Sequence, residues 1–238
     1  MSMRADHPIL ARRSRLEAEG YRGPWLALFD IDSTLMDTGE RNIAILRAAR
    51  EAMPALRAIW PRLDLEKPFW EITEPFRRAG VGDAELLAAV KAFWKERFFA
   101  DEWLVHDRPY PGAAAFLLDL KDSGFELAYL TGRHSPGMEE GTRRSFLEHG
   151  LPAGTEEAFF FKPDFAMGDW EFKASVCERI SALGCLVAAI DNEPANVNLF
   201  RRTFPRALVI WVDTVTSPWP ETLEPGIERA GVEVFLDR

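Results

Sequence analysis

Three apolar stretches of this 238-residue chain each end on a residue that can do chemistry: residues 25–29 run into Asp30, 125–130 into Thr131, and 186–190 into Asp191. The first stop is the richest. In Asp30-Ile31-Asp32 two carboxylates stand one residue apart, so both can face one metal ion and one electrophile. A carboxylate alone repels a phosphate dianion, and Mg²⁺ held by oxygen ligands removes that objection. Asp30 could then attack phosphorus and form an aspartyl-phosphate, while Asp32 protonates the leaving oxygen and later activates water. Taken alone, the same residues read equally well as a turn or a helix cap.

For three distant stops to meet, their runs must lie side by side. Stretches that are apolar at every position suit parallel strands buried on both faces, and 158–161 and 207–212 look like two more. Helical periodicity at 112–123, 138–149 and 172–183 separates them, and Gly124, Gly150 and Gly184 follow those segments where left-handed C-caps belong. The alternation predicts an α/β fold built on an open parallel sheet with right-handed crossovers. Such sheets bind ligands beyond the carboxyl ends of their strands, near the topological switch point. Residues from about 38 to 107 break the pattern, with helical stretches at 41–53, 69–78 and 82–100 and no strand between them. They predict an inserted helical lobe, with Pro109-Tyr110-Pro111-Gly112 as the hinge back. The lobe's aromatics, Trp60, Phe69, Trp70, Phe76 and Trp94 among them, suit a pocket lining or simply the core of a small lobe.

At this point a resemblance becomes visible. Phe29-Asp30-Ile31-Asp32-Ser33-Thr34-Leu35 resembles the first motif of the haloacid dehalogenase-like (HAD) superfamily, Asp-x-Asp-x-Thr behind an apolar strand. The resemblance implies Asp30 as nucleophile and Asp32 as general acid/base, with the Asp32 backbone carbonyl as a metal ligand. Leu130-Thr131-Gly132-Arg133 is similar to the second motif, which implies that Thr131 and the backbone near Gly132 bind a phosphoryl oxygen. Arg133 either helps them or is simply solvated. The third motif is a lysine, and two compete: Lys173, favoured on position, and Lys162, followed by Pro163 and Asp164. The loser is expected on the surface. Asp191 sits where the acidic fourth motif belongs, and is the expected metal ligand there. The chain departs from that motif, because Asn192 follows Asp191 and Asn196 stands where a further acid could be. Asn192 could supply a neutral oxygen to the metal, and Glu193 is a further candidate. A helical insert after the first motif is similar to a family branch in which a helical cap closes over the active site. Asp32 argues against dehalogenation, whose leaving group needs no proton.

Composition narrows the classes. A formal net charge of −9 disfavours nucleic acid and anionic membranes as partners; the small phosphorylated substrate that the resemblance implies would need local positive charge or a metal at its site. No apolar run nears the ~20 residues of a membrane helix. Two cysteines, Cys177 and Cys185, cannot make a disulfide framework and suit a reducing compartment, so the expected location is the cytoplasm. The four histidines show no metal-ligand spacing. Oligomeric state leaves no signal.

The resulting expectation is an N-terminal extension over 1–20, a HAD-like α/β core over 21–38 plus 108–238, and a helical cap over 39–107. The activity expected is a Mg²⁺-dependent phosphatase, with Asp30, Asp32, Thr131 and Lys173 catalytic. Thr131, Gly132 and Lys173 would bind substrate, and Asp30, Asp32, Asp191 and Asn192 the metal. The alternatives are a phosphotransferase or phosphomutase with the same site, or a non-catalytic binding protein on the same scaffold.

Overall fold

The computed structural model describes residues 3–4, 6–154 and 157–236. Residues 1, 2 and 5 of the expected extension and 237–238 of the expected core lie outside them. In chain order the main elements are α1 (Pro8–Ala18), β1 (Trp25–Phe29), β2 (Met36–Asp37), α2 (Gly39–Ala52), α3 (Ala55–Ile59), α4 (Glu74–Arg78), α5 (Ala84–Phe98), β3 (Arg108–Pro109), α6 (Ala113–Asp122), β4 (Phe125–His134), α7 (Ser135–Glu148), β5 (Ala158–Lys162), α8 (Asp169–Ser175), α9 (Cys177–Leu183), β6 (Cys185–Asp191), α10 (Pro194–Thr203), β7 (Leu208–Val212) and β8 (Glu228–Ala230).

Six strands form one parallel sheet in the order β5-β4-β1-β6-β7-β8. The all-apolar strands have the physical consequence expected of them. On β1, Ala27 and Phe29 enter the apolar cluster on one face of the sheet, while Leu26 and Leu28 enter the cluster on the other. Each fully buried Leu or Phe among them contributes roughly 1.5–3 kcal/mol. The chain builds β1, β4 and β5 outward on one side, then crosses back to add β6 on the other side of β1. That reversal beside β1 is the switch point, and Phe29 pairs there with both Tyr129 and Ile190.

Several local expectations change. α1 packs Ile9 and Leu16 into the sheet's own core, so this part of the extension belongs to the fold. β4 continues past Thr131 to His134, with a register irregularity after Leu130. The predicted helix over 172–183 is two helices, α8 and α9, joined at Val176. The helix over 69–78 shrinks to α4. Two short strands, β2 and β3, pair antiparallel where the helical segment leaves and rejoins the sheet region, and β8 extends the far edge. None of these three has the length or apolar run that signals a strand.

Gly124 and Gly150 are left-handed at φ 83° and 72°, as C-cap glycines should be. Gly184 is not: its backbone is extended at φ 162°. It is needed for another reason, because a Cβ there would lie 2.5 Å from the Pro24 carbonyl oxygen.

Residues between β2 and β3 carry α2 to α5 and a cluster of their own, centred on Leu46, Leu56, Phe76 and Val90. Asp83 starts α5 by accepting the N–H groups of Glu85 and Leu86, each at 3.1 Å. The segment's exit turn, residues 101–106, lies close against α7, where a Cβ on Gly141 would come within 2.6 Å of Asp101.

Gly112, at the start of α6, is left-handed at φ 87°, and a Cβ would lie 2.5 Å from the Phe235 carbonyl oxygen. Gly112→Ala is therefore expected to cost about 2 kcal/mol or more, lowering the melting temperature by about 4–8 °C. Gly124→Ala has the same backbone strain with nothing within 4 Å, and should cost clearly less. Equal losses in thermal melts would show that the Phe235 contact is not what makes Gly112 necessary.

Candidate active site

Asp30 stands at the end of β1, and Thr131 and Asp191 lie on its two neighbours in the sheet, β4 and β6. Strand spacing of about 4.8 Å makes their meeting a result of topology. Asp30 follows β1 directly, its N–H held by the Ile190 carbonyl at 3.0 Å. The chain then turns sharply: Leu35 and Met36 both donate to the Ile31 carbonyl, and Ser33 adopts φ 58°. That turn returns Thr34 to β6, where its hydroxyl donates to Asn192 Oδ1 at 3.1 Å and accepts the Asn192 N–H at 3.1 Å.

Of the two candidate lysines, Lys173 on α8 is the one that reaches Asp30 and Asp191. Its buried ammonium bridges Asp30 Oδ1 at 2.6 Å and Asp191 Oδ2 at 2.7 Å. Burial works against its charge, and the two carboxylates more than offset that, raising its pKa. Burial, reinforced by Asp191 and opposed by Lys173, raises the pKa of Asp30. Lys162 is not the surface residue expected of the loser. It is buried and donates to Asp169 Oδ1 at 2.6 Å and to the Met167 carbonyl at 3.0 Å. This arrangement fixes the loop from β5 to α8, and so the helix that delivers Lys173. Asp169 in turn crowds Gly132, where a Cβ would come within 2.6 Å of its carboxylate. Thr131 is fully buried and accepts the Arg133 N–H at 3.2 Å.

Asp32 belongs to a second charged group. Arg133 grips it with Nε at 3.0 Å and Nη2 at 2.8 Å, and Arg41 of α2 reaches its Oδ1 at 2.6 Å. Both guanidinium groups also meet the fully buried Asp107, Arg133 at 2.6 Å and Arg41 at 2.9 Å. Two arginines thus face two aspartates. Burial would raise the pKa of Asp32, but Arg133 and Arg41 outweigh it and hold the carboxyl well below the usual range. For Asp107 burial prevails over the same two arginines, and its pKa is raised. Arg133 is buried, so the solvated alternative fails, and Arg41 and Asp107 are additions that sequence reasoning missed. Arg133 had a signal in its place after Thr131-Gly132. Arg41 and Asp107 had none, because an arginine in an amphipathic helix and an aspartate before a loop read as surface residues.

The third stop, Asp191, is more tightly engaged than expected. Asp191 Oδ1 accepts the Glu193 N–H at 2.8 Å, and Asn196 Nδ2 lies 3.1 Å from both carboxylate oxygens. Asn192, expected at the metal, spends its amide oxygen on Thr34 and its Nδ2 on the Val215 carbonyl at 2.6 Å. Glu193 holds the same loop through the Ser217 N–H at 2.9 Å and hydroxyl at 2.6 Å. Asn192 and Glu193 therefore anchor the segment after β7.

The three acids do not form a ready-made metal cluster. Among the described residues no group of three or more His, Cys, Asp or Glu is so arranged, because Lys173 sits between Asp30 and Asp191 and two arginines cover Asp32. Of the six carboxylate oxygens of Asp30, Asp32 and Asp191, Asp30 Oδ2 is the one that no described donor reaches. An all-oxygen set of this kind still suits a hard cation.

Asp30, Asp32, Gly132, Arg133, Lys173 and Asn192 line one cleft of about 1450 Å³, whose opposite wall comes from α2 and the segment before α4. The aromatics divide between the two readings left open: Phe76 is core, whereas Trp60, Trp70 and Trp94 line the cleft.

A family model described as haloacid dehalogenase-like hydrolase matches residues 26–202. No curated protein matches the chain. Among solved structures, Protein Tyrosine Kinase A of Mycobacterium tuberculosis is similar with a TM-score of 0.55 at 18% identity, over 89% of this chain and 95% of that one. A predicted phosphoglycolate phosphatase from Haemophilus somnus gives a TM-score of 0.52 at 14% identity, over 89% and 96%. A haloacid dehalogenase-like family protein of Streptococcus pneumoniae gives 0.51 at 10% identity, over 81% and 87%. At these identities the likeness is one of fold.

Proposed function

Because the chain belongs to the haloacid dehalogenase-like hydrolase family, we propose that it is a Mg²⁺-dependent phosphatase of small-molecule phosphate monoesters, working through an aspartyl-phosphate on Asp30. One observation carries this reading: Asp30 lines the cleft with Oδ1 tied to Lys173 and Oδ2 free of donors among the described residues. A carboxylate with one oxygen anchored and the other open is oriented for in-line attack.

In this mechanism Asp30 Oδ2 bonds to phosphorus as the bond from phosphorus to the ester oxygen breaks. Thr131 and the backbone at Gly132 hold the transferring oxygens, and Lys173 offsets the charge gathered between Asp30 and Asp191. Water then attacks the phosphorus of the intermediate, releasing inorganic phosphate and restoring Asp30. Asp32, kept ionised by Arg133 and Arg41, is in the form that takes the proton from that water. Its earlier role as proton donor requires Arg41 to withdraw, and Arg41 rides on α2. The helical residues 39–107 act as a cap over the core in this reading, so cap movement and the protonation of Asp32 are linked. Mg²⁺ would be held by the oxygen of Asp30 that does not attack, by the Asp32 carbonyl and by Asp191, and would neutralise the repulsion between carboxylate and phosphate. Asn192 would have to turn Oδ1 from the Thr34 hydroxyl to join them. Two free cysteines suit the cytoplasm as the site of action.

The test is release of inorganic phosphate from 4-nitrophenyl phosphate with Mg²⁺ and with EDTA. Metal-dependent release is the expected result, with phosphate and phenol in equal amounts. Phenol in excess of phosphate would point to transfer onto another acceptor. No release from this ester or from a panel of sugar, nucleotide and small-acid phosphates would sink the enzymatic reading. It would favour a binding protein, a role that the engaged oxygens of Asp32 and Asp191 would suit.

A further inference from the structure

The lining of the cleft includes an unusual set of exposed aromatics. The three tryptophans left most exposed in the fold, Trp70, Trp170 and Trp219, are 44%, 54% and 71% exposed, and all three line this cleft. They come from both sides of it: Trp70 from the helical segment, Trp170 from the start of α8, and Trp219 from the loop that Asn192 and Glu193 anchor. Indoles left this open contribute little to packing, and offer flat apolar faces to whatever fills the space.

The charges that line the cleft bear on what it holds. Among the described residues six cationic side chains line it. Lys173 and Arg133 serve the aspartates described above. Arg50 pairs with Glu51, Lys67 with Asp64 and Lys91 with Glu71. Arg47 alone has no carboxylate partner among the described residues. It follows Gly39 and Ile43 on the face of α2 turned to the cleft, about 12 Å along the helix from Gly39 at 1.5 Å per residue. A cation without a carboxylate partner among the described residues, about two turns of α2 beyond Gly39 on the cleft wall, suits a second anionic group on a substrate.

We propose that the cleft binds a phosphate ester whose leaving group carries a flat aromatic or heteroaromatic ring and a second acidic group, the ring lying against the exposed tryptophans and the acid on Arg47. This rests on the phosphatase reading for the position of the first phosphate, and the ring and the second anion are its own claims. The tryptophans would supply ring preference without hydrogen-bond specificity, because any flat π-face stacks. Arg47 would choose among ring-bearing esters by charge.

The experiment measures affinity by calorimetry in the presence of Mg²⁺, with Asp30→Asn protein so that no probe is consumed. The probes are adenosine 3′,5′-bisphosphate, adenosine 5′-monophosphate, ribose 5-phosphate and inorganic phosphate. The monophosphate is expected to bind at least about tenfold more tightly than ribose 5-phosphate. The bisphosphate should gain a further two- to fivefold or so, as for an exposed ion pair. Trp219→Ala and Trp70→Ala should each reduce the first difference and spare the second. Arg47→Met should remove the second and spare the first. Equal binding of adenosine 5′-monophosphate and ribose 5-phosphate overturns the ring claim, and an unchanged second difference in Arg47→Met overturns the charge claim. Either result together with metal-dependent phosphate release by the wild type leaves the phosphatase reading standing. The expected ring preference without phosphate release would leave the subsite and remove the catalysis. Absence of binding by all four probes overturns the subsite whatever the activity.

Discussion

Asp30→Asn is expected to lower Mg²⁺-dependent phosphate release by at least ~10⁴-fold, as loss of a covalent nucleophile does elsewhere. The substitution is nearly isosteric. The amide oxygen can still accept from Lys173, and the amide nitrogen then takes the place of Oδ2, the oxygen no described donor reaches. The attacking lone pair is lost while the shape is kept. Because burial already disfavours charge on Asp30, neutralising it should leave the melting temperature at or above that of the wild type. Unchanged release in a folded Asp30→Asn protein would remove Asp30 as nucleophile. A lowered melting temperature would show that the Asp30–Lys173 contact holds the fold together as well as the site.

The second large effect concerns stability. Arg133→Met is expected to destabilise the protein by about 3–5 kcal/mol, or about 6–20 °C in melting temperature. The reason is charge balance within the buried group of four. Arg133 and Arg41 face Asp32 and Asp107, so removing one arginine leaves two carboxylates to share the other. Methionine fills similar space without supplying a donor. Adding Asp107→Leu restores balance, since Arg41 and Asp32 then remain as a pair, and the double variant should recover at least half of the loss. If it recovers nothing, the loss comes from Arg133's own hydrogen bonds, including that to Thr142 at 2.9 Å, and not from an uncompensated charge. Activity should fall in both variants, because Asp32 loses the bidentate grip that orients it.

These two expectations differ in how they could have been found. Asp30 announces itself: an apolar run wholly buried in a parallel sheet must end at a ligand-facing edge, and a doubled acid at that edge is chemically legible. Thr131 and Asp191 follow by the same argument, and strand order β4-β1-β6 brings them to Asp30. Lys173 was legible as a choice between two residues. What separates it from Lys162 is which carboxylate each ammonium meets, Asp30 or Asp169, and only the packing of α8 settles that.

The sequence by itself determined the α/β class, the principal strands and the three residues at their ends, because period and burial are properties of short stretches read one at a time. The tertiary structure alone decided the rest. It assembled the charged group of Arg41, Asp107, Arg133 and Asp32, turned Asn192 from the expected metal position to a loop anchor, and opened Trp70, Trp170 and Trp219 onto one cleft. Each of those outcomes depends on partners brought together from distant parts of the chain. A charged or aromatic side chain carries no local mark of which partner it will meet, so its role exists only once the chain is folded.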